Sequence, residues 1–257
     1  MHAVRKHRRS GATLLEVLVV ISVILLLAAL MLPGISSARE RARRVRCLSN
    51  LRNIAIVSKI YSSDNNGRLI LARDRTVQVS INPPERDLWE MVGLPIDTNK
   101  VGAASIWTCP NRPDFPTFEP GFPQFNIGYQ YFGGITTWRN PAGSFPSRSP
   151  NITYQAQPNW VLAADAMMKI EGIWGGGRDP AFKDMPQHRT ARTRFGPPEG
   201  GNEVFMDRSG RWVDFNQTLY LHTWWGDWDN RICFFYQEDI GAVESVRNQL
   251  TPAIWGQ

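Results

Sequence analysis

The apolar run from Ala12 to Leu32 constrains this 257-residue chain more than any other feature. Its letters are ATLLEVLVVISVILLLAALML, and Glu16 is its one charged residue. About 20 helical residues, rising ~1.5 Å each, cross the ~30 Å hydrocarbon core of a bilayer. A core helix of a soluble domain is the alternative, but such a helix seldom carries apolar side chains all round. The run therefore predicts a membrane-spanning helix.

Positive charge is concentrated on both sides of the apolar run. The chain has 29 Lys and Arg against 23 Asp and Glu, which gives a net charge of +6. The excess lies in residues 5–9 and 39–52, whereas residues 53–257 are slightly acidic. This distribution is typical of a membrane segment with charged flanks and argues against a nucleic-acid-binding surface. Because both flanks are basic, charge alone does not fix the orientation of the helix.

Glu16 is out of place in the apolar run. A carboxylate inside a bilayer is costly unless it is paired, and no basic residue follows within the run. Cleavage of the chain after Gly11 would create an α-amino group nearby, which is the nearest candidate cation.

The residues around this glutamate resemble a known leader junction. Arg9-Ser10-Gly11-Ala12-Thr13-Leu14-Leu15-Glu16-Val17 is similar to the class III leader of type IV pilins and type II secretion pseudopilins. The resemblance implies that a prepilin peptidase cuts after Gly11 and methylates Ala12. It also implies that Glu16 pairs with the terminal amine of a neighbouring subunit during assembly, and that Pro33 kinks the helix. The chain departs from the family at Ala12, where phenylalanine is usual.

We expect the helix to continue past residue 33 to about Ser62 and to dock on a head domain. A mostly apolar stripe at helical spacing supports docking: Cys47, Leu51, Ile54, Ala55, Ser58 and Tyr61. The predicted organisation is a cleaved leader (1–11), a transmembrane helix half (12–32), a docked helix extension (33–62) and a head (63–257). The predicted class is α+β and pilin-like, with a long N-terminal helix packed on a β-rich head.

The head is predicted to consist of short strands, because its prolines and glycines punctuate short apolar segments. The strand candidates are Arg68–Leu71, Val77–Ile81, Tyr129–Thr137, Trp160–Ala164, Glu203–Met206, Arg211–Phe215, Leu219–Thr223 and Ile232–Tyr236. Asp64–Gly67 is predicted to end the helix in a turn, since Asn and Gly tolerate left-handed backbone. In the hairpin of residues 202–215, Gly210 is placed for a positive φ. Residues 139–151 and 175–202 are predicted to be loops.

The head also resembles a large pseudopilin-like subgroup in which a cysteine-x-x-asparagine-leucine motif precedes a tyrosine and an Asn-Gly turn. The matching residues are Cys47-Leu48-Ser49-Asn50-Leu51, Tyr61 and Asn65-Asn66-Gly67. Trp107–Pro110, Pro158–Asp165 and Gly200–Phe215 follow in the same order. The subgroup's Asp-Gly-His hairpin tip is replaced by Asp207-Arg208-Ser209-Gly210, so no role tied to that histidine is carried over.

The three cysteines, Cys47, Cys109 and Cys233, are too few for a disulfide scaffold, and their spacing matches no zinc motif. Cys47 lies on the docking stripe, and Cys109 precedes Pro110 in a turn that could reach it. A disulfide between these two would join helix and head and stabilise the fold by roughly 3–4 kcal/mol. Two buried thiols are the alternative.

We find no catalytic constellation in the sequence. His188 and His222 are the only histidines beyond the leader region, and neither a metalloprotease motif nor a phosphate-binding loop occurs. We therefore predict no enzymatic activity and no cofactor. No metal site is predicted, although Asp227 and Asp229 offer oxygen ligands of the kind that calcium prefers.

The leading hypothesis is a pseudopilin or minor pilin of a type II secretion-like or type IV pilus-like filament. Its implied partners are a prepilin peptidase, other pilin or pseudopilin subunits, an inner-membrane assembly platform and the lipid bilayer. The chain would cross the cytoplasmic membrane once, with its N-terminus on the cytoplasmic side and its head in the periplasm, or outside the cell after assembly. The alternative is an anchored carbohydrate- or substrate-binding protein that does not polymerise. A late group of tryptophans supports it: Trp212, Trp224, Trp225, Trp228 and Trp255.

Overall fold

The computed structural model describes residues 13–178, 182–189, 196–224, 226–228 and 230–257. Helix α1 (Leu14–Asp64) comes first, and two compact units divide within it, one up to residue 42 and one from residue 43 to 257. Twelve short strands and two further α-helices follow among the described residues of the second unit. The predicted α+β class, a long apolar helix with a strand-rich head, is confirmed.

The part of α1 in the first unit exposes apolar side chains on every side. All of residues 13–30 and 34–39 are exposed, and Leu25 is 67% accessible. Helix α1 is long and apolar enough to cross a membrane, with a mean hydropathy of 3.0 over its best 18-residue window. That criterion rests on length and composition alone. The helix continues through residue 33 without a break.

The part of α1 in the second unit buries one stripe. Five of the six stripe positions are buried (Cys47, Leu51, Ile54, Ala55 and Ser58), and Tyr61 is half-buried. The predicted docking stripe is therefore confirmed. Helix α1 ends at Asp64, and the predicted turn follows, with positive φ at Asn66 (53°) and Gly67 (76°).

The described part of the head forms four antiparallel sheets. The first has the order β1 (Ser80–Ile81), β3 (Gln124–Asn126) and β2 (Thr117–Glu119). The second has the order β10 (Gly210–Asp214), β9 (Gly200–Phe205), β7 (Val161–Asp165) and β4 (Tyr129–Tyr131). The third has the order β11 (Leu219–His222), β12 (Arg231–Phe235) and β8 (Met167–Ile170), and β5 (Thr137–Asn140) pairs with β6 (Gly143–Pro146). Helices α2 (Pro83–Met91) and α3 (Pro252–Trp255) and three 3₁₀ turns (Gly102–Ala104, Phe215–Gln217 and Gly241–Gln249) complete the described elements.

Five of the strand predictions agree with the structure to within a few residues: those for β7, β9, β10, β11 and β12. The strand predicted at Arg68–Leu71 is wrong, because Arg68 forms a single bridge to Ile152 in a loop rather than a ladder. The strand predicted at Val77–Ile81 keeps only its last two residues. The strand predicted at Tyr129–Thr137 is interrupted after Tyr131, where Gly134 takes a positive φ of 76°.

The loop predicted at residues 139–151 and the positive φ predicted at Gly210 also need correction. Residues 139–151 contain most of the β5–β6 hairpin, whose turn uses Gly143 at a φ of 139°. In the β9–β10 hairpin the positive φ of 69° falls on Arg208 and not on Gly210. Gly210 is needed for close packing instead, since a Cβ there would lie 2.8 Å from the Leu48 side chain.

The β9–β10 hairpin lies against the docked part of α1. The Arg52 guanidinium donates to the Gly210 carbonyl oxygen at 3.2 Å, and the Lys59 ammonium donates to the Met206 carbonyl oxygen at 3.1 Å. Arg44 lies over the Trp212 ring at 3.8 Å from its centroid. These basic residues therefore help to hold α1 on the head in addition to facing solvent.

Candidate functional site

Glu16 lies in the first turn of α1 and has a local partner. Its carboxylate accepts the Thr13 backbone N–H at 2.8 Å, and the Thr13 hydroxyl accepts the Glu16 N–H at 3.3 Å. This reciprocal pair is a capping box, which satisfies two of the backbone donors at a helix start. The sequence alone carries this signal, since Thr13 and Glu16 have the Thr-x-x-Glu spacing of a capping box.

The structure describes only some of the other N-terminal residues for which the sequence predicts a role. Gly11 and Ala12 lie outside the described residues, so cleavage and methylation stay predictions. Position 33 lies within continuous helix, and the kink at Pro33 also stays a prediction.

Cys47 and Cys109 are brought together in the head, as the sequence predicts. Their Sγ atoms are 2.9 Å apart, both residues are fully buried, and both are free cysteines. The pairing of the two positions is therefore found, while the covalent bond stays a prediction. Cys233, also buried, lies apart from this pair, and its Sγ contacts the Arg231 carbonyl oxygen at 3.7 Å.

A buried acid and a buried histidine join the two cysteines. Asp165 ends β7 and His188 lies in the segment 182–189, and His188 Nε2 is 2.9 Å from Asp165 Oδ2. One ligand atom from each of Cys47, Cys109, Asp165 and His188 lies within 4.8 Å of the others. Sequence reasoning did not find this group, because its members are far apart in the chain and follow no local motif.

The two thiols of this cluster differ in acidity. Burial raises the pKa of Cys47, and its hydrogen bond with Cys109 adds to that rise. Burial also raises the pKa of Cys109, but hydrogen bonds with Cys47 and His188 outweigh it and lower the pKa to about 7. Cys109 is thus the thiol that loses its proton first.

The acidic residues considered for calcium are not gathered into a site in the described part of the head. Asp227 is exposed, and Asp229 lies outside the described residues. Of the neighbouring acids, Glu238 accepts from the Asn159 amide at 3.0 Å, and Asp239 accepts from the Trp160 indole at 3.1 Å. Asp227 and Asp229 therefore stay untested as calcium ligands.

The late tryptophans do not form an exposed aromatic platform among the described residues. Trp228 is 37% accessible, whereas Trp212, Trp224 and Trp255 are half-buried; Trp225 lies outside the described residues. Trp212 contacts Arg44 and His188, and Trp255 packs edge-on against Tyr220. The rings whose contacts are described therefore act in packing, as tryptophans with one polar atom commonly do.

Comparison with known proteins addresses the N-terminal segment first. Residues 6–32 match the prokaryotic N-terminal methylation motif, a match that includes Gly11, Ala12 and Glu16. The predicted resemblance to prepilin-type proteins is thereby confirmed for this segment.

A relative extends the similarity. The chain is 37% identical over 62 residues to the type II secretion system core protein G of Aeromonas hydrophila. The aligned residues make up 24% of this chain and 43% of that protein. The matched segment thus spans less than half the length of this relative. No solved structure matches the chain.

Proposed function

We propose that this protein is a pilin-like structural subunit of a secretion or pilus filament, made as a precursor, cut after Gly11 and methylated on Ala12. The apolar part of α1 would anchor it in the cytoplasmic membrane, with its head in the periplasm. Its partners would be a prepilin peptidase, other pilin or pseudopilin subunits and an assembly platform in the inner membrane. The methylation motif and the similarity to a secretion core protein support this proposal.

The observation that carries the proposal is the uniform exposure of an apolar helix that starts with a carboxylate. Residues 13–30 have no buried member. Such a surface is stable in lipid or against other apolar helices, and it is unstable in water. A filament subunit meets both surroundings, because it is stored in the lipid of a membrane and then packs against the apolar helices of other subunits.

The capping box refines the role proposed for Glu16. Before assembly, the carboxylate is stabilised by the Thr13 N–H. In a filament, the amine of a neighbouring subunit would replace or join this donor, and the ion pair would be strong in a setting of low dielectric constant. The cap therefore lowers the cost of keeping the acid in the membrane until an amine arrives.

Glu16→Gln tests the charge without removing the cap, because a glutamine at the same helix position still accepts the Thr13 N–H. We expect this variant to enter the membrane with a folded head and to lose crosslinked multimers in its native host. Thr13→Val is the matched control, since it weakens the cap and keeps the carboxylate, and it should assemble. Normal assembly of Glu16→Gln would contradict the role proposed for the charge of Glu16, whereas a lack of crosslinked multimers from the wild-type protein would favour the anchored binding protein.

Processing is tested by mass spectrometry of the protein from its native membrane. We expect Ala12 as the N-terminus, with one added methyl group. A terminus at Met1, or one beyond the apolar run, would contradict a pilin-like subunit.

A further inference from the structure

Four side chains with metal-binding atoms converge inside the head from four separate segments. Cys47 comes from α1, Cys109 from the turn at Trp107–Pro110, Asp165 from the end of β7 and His188 from the segment 182–189. Each of the four residues is at most 1% accessible. Such a group is costly to bury unless its members satisfy one another or share a ligand.

The arrangement is convergent and not a linear relay. In a nucleophilic triad the imidazole lies between the thiol and the carboxylate, which holds sulfur and oxygen roughly 7 Å apart, since each hydrogen bond spans ~3 Å. Here one potential metal-binding atom from each of the four side chains lies within 4.8 Å of the other three. The cluster is also closed to solvent, so no substrate could reach Cys109.

We propose that Cys47, Cys109, Asp165 and His188 bind one zinc ion in a structural site. Two sulfurs, one imidazole nitrogen and one carboxylate oxygen are all ligand types that zinc accepts, and four protein ligands are usual for a closed structural site. In a tetrahedron with Zn–S bonds of ~2.3 Å, the two sulfurs would be about 3.8 Å apart. They are now 2.9 Å apart, so the site must widen by less than about 1 Å, which side-chain rotation can supply.

The surrounding groups fit a buried metal centre electrostatically. Two thiolates and a carboxylate around Zn²⁺ leave a net charge of about −1. Arg112 is fully buried and interacts electrostatically with Cys109, so it supplies the compensating positive charge. The Asn111 backbone N–H lies 3.5 Å from Cys109 Sγ, where it would stabilise a bound thiolate.

A second set of contacts orients the ligands. The Asn202 backbone N–H and side-chain amide donate to Asp165 Oδ2 at 2.7 and 2.8 Å. The Asn111 amide is 3.1 Å from His188 Nδ1. Asp165 Oδ1, by contrast, is buried with no hydrogen-bond partner among the described residues, so its lone pairs remain available to an ion. Ligand-orienting hydrogen bonds of this kind are general in metal sites.

A disulfide between Cys47 and Cys109 would use only half of this cluster. It would leave the Asp165 carboxylate buried with Oδ1 still lacking a donor. A zinc ion would satisfy all four side chains and would tie α1 directly to the β7 end of the second sheet. It would thereby hold the docked half of the helix on the head.

The wild-type protein allows a decisive measurement. The protein is purified in detergent from its native membrane, washed with a weak chelator, and then denatured without reductant. We expect about one equivalent of zinc by elemental analysis and three free thiols per chain, from Cys47, Cys109 and Cys233. One free thiol without metal would show a disulfide and overturn the proposal, and three thiols without metal would overturn it equally. One equivalent of iron or copper would overturn the assignment to zinc.

Variants locate the metal. Cys47→Ser and His188→Gln should each lose most of the bound zinc, whereas Cys233→Ser, which changes a buried cysteine outside the cluster, should retain it. Cobalt replacement in the wild-type chain gives a second readout that does not depend on the folding of a variant. Thiolate-to-metal charge-transfer bands and the strong visible absorption of tetrahedral Co²⁺ are expected, and a weak octahedral spectrum would overturn the site.

Discussion

The two halves of α1 form one continuous helix but differ in what their side chains contact. Residues 13–30 are exposed on every side, whereas from Cys47 onward the helix buries one stripe in the core of the head. The second half also places polar groups at its buried face, including Asn50 and Ser58. The comparison shows that helical continuity does not imply a single environment: a uniform apolar surface suits lipid or neighbouring helices, and a stripe suits one folded partner.

The largest difference in head stability between the two halves should appear when one leucine in each half is replaced by alanine. Leu51 is fully buried and Leu27 is 52% accessible. Leu51→Ala should lower the unfolding free energy of the head by about 2–5 kcal/mol, because it removes buried methyl groups and leaves a cavity. Leu27→Ala should leave the unfolding temperature of the head unchanged. Thermal unfolding followed by near-UV circular dichroism checks both, and equal losses in the two variants would abolish the distinction between the halves.

Acid should weaken the head through His222. Its Nε2 is 2.8 Å from the Thr76 carbonyl oxygen, its Nδ1 accepts the Arg139 N–H at 3.1 Å, and burial lowers its pKa to about 4. Because the folded-state pKa is depressed, the stabilisation is complete above the unfolded value of about 6.5 and is lost as pH falls toward 4. The loss should reach about 3 kcal/mol.

His222→Gln isolates this effect. The variant should be less stable at pH 7 but should show a smaller decline between pH 6.5 and 4, measured by denaturant unfolding at each pH. Burial raises the pKa of Glu203 to about 8, which gives the opposite slope, but that contribution is common to both proteins and cancels in the difference. Parallel profiles for the two proteins would show that His222 is not the group responsible.

The smallest effect should come from a pair of serines in α1. Ser58 Oγ is 2.8 Å from the Tyr131 hydroxyl in the core, whereas Ser22 Oγ donates to the Leu18 carbonyl oxygen of its own helix. Ser58→Ala should cost the head about 1 kcal/mol by removing a buried hydrogen bond. Ser22→Ala should cost the head nothing. Chemical denaturation of both variants decides this, and a loss in Ser22→Ala would mean that the exposed half contributes to head stability.

Much of α1 could be predicted because its signals are local. The apolar run, the docking stripe and the Asn-Gly turn each occupy consecutive or helically spaced residues, and all three appear where the sequence places them. Helix α2 was missed although Pro83 and Pro84 fit the first turn of a helix. The strand errors have a different cause, since Arg68–Leu71 has strand-like residues but meets only a loop.

The two candidate sites differ in the same way, since one follows from local signals in the sequence and the other does not. The sequence by itself determined the prepilin-type N-terminal segment, because the motif and the apolar run occupy consecutive residues. Only the tertiary structure decided that Cys47 and Cys109 meet Asp165 and His188, which lie in four distant segments. The physical reason is that a cluster of potential metal-binding side chains depends on the three-dimensional positions of a few atoms. Those positions follow from how α1, β7 and the turn at Cys109 pack together, and no local periodicity encodes them.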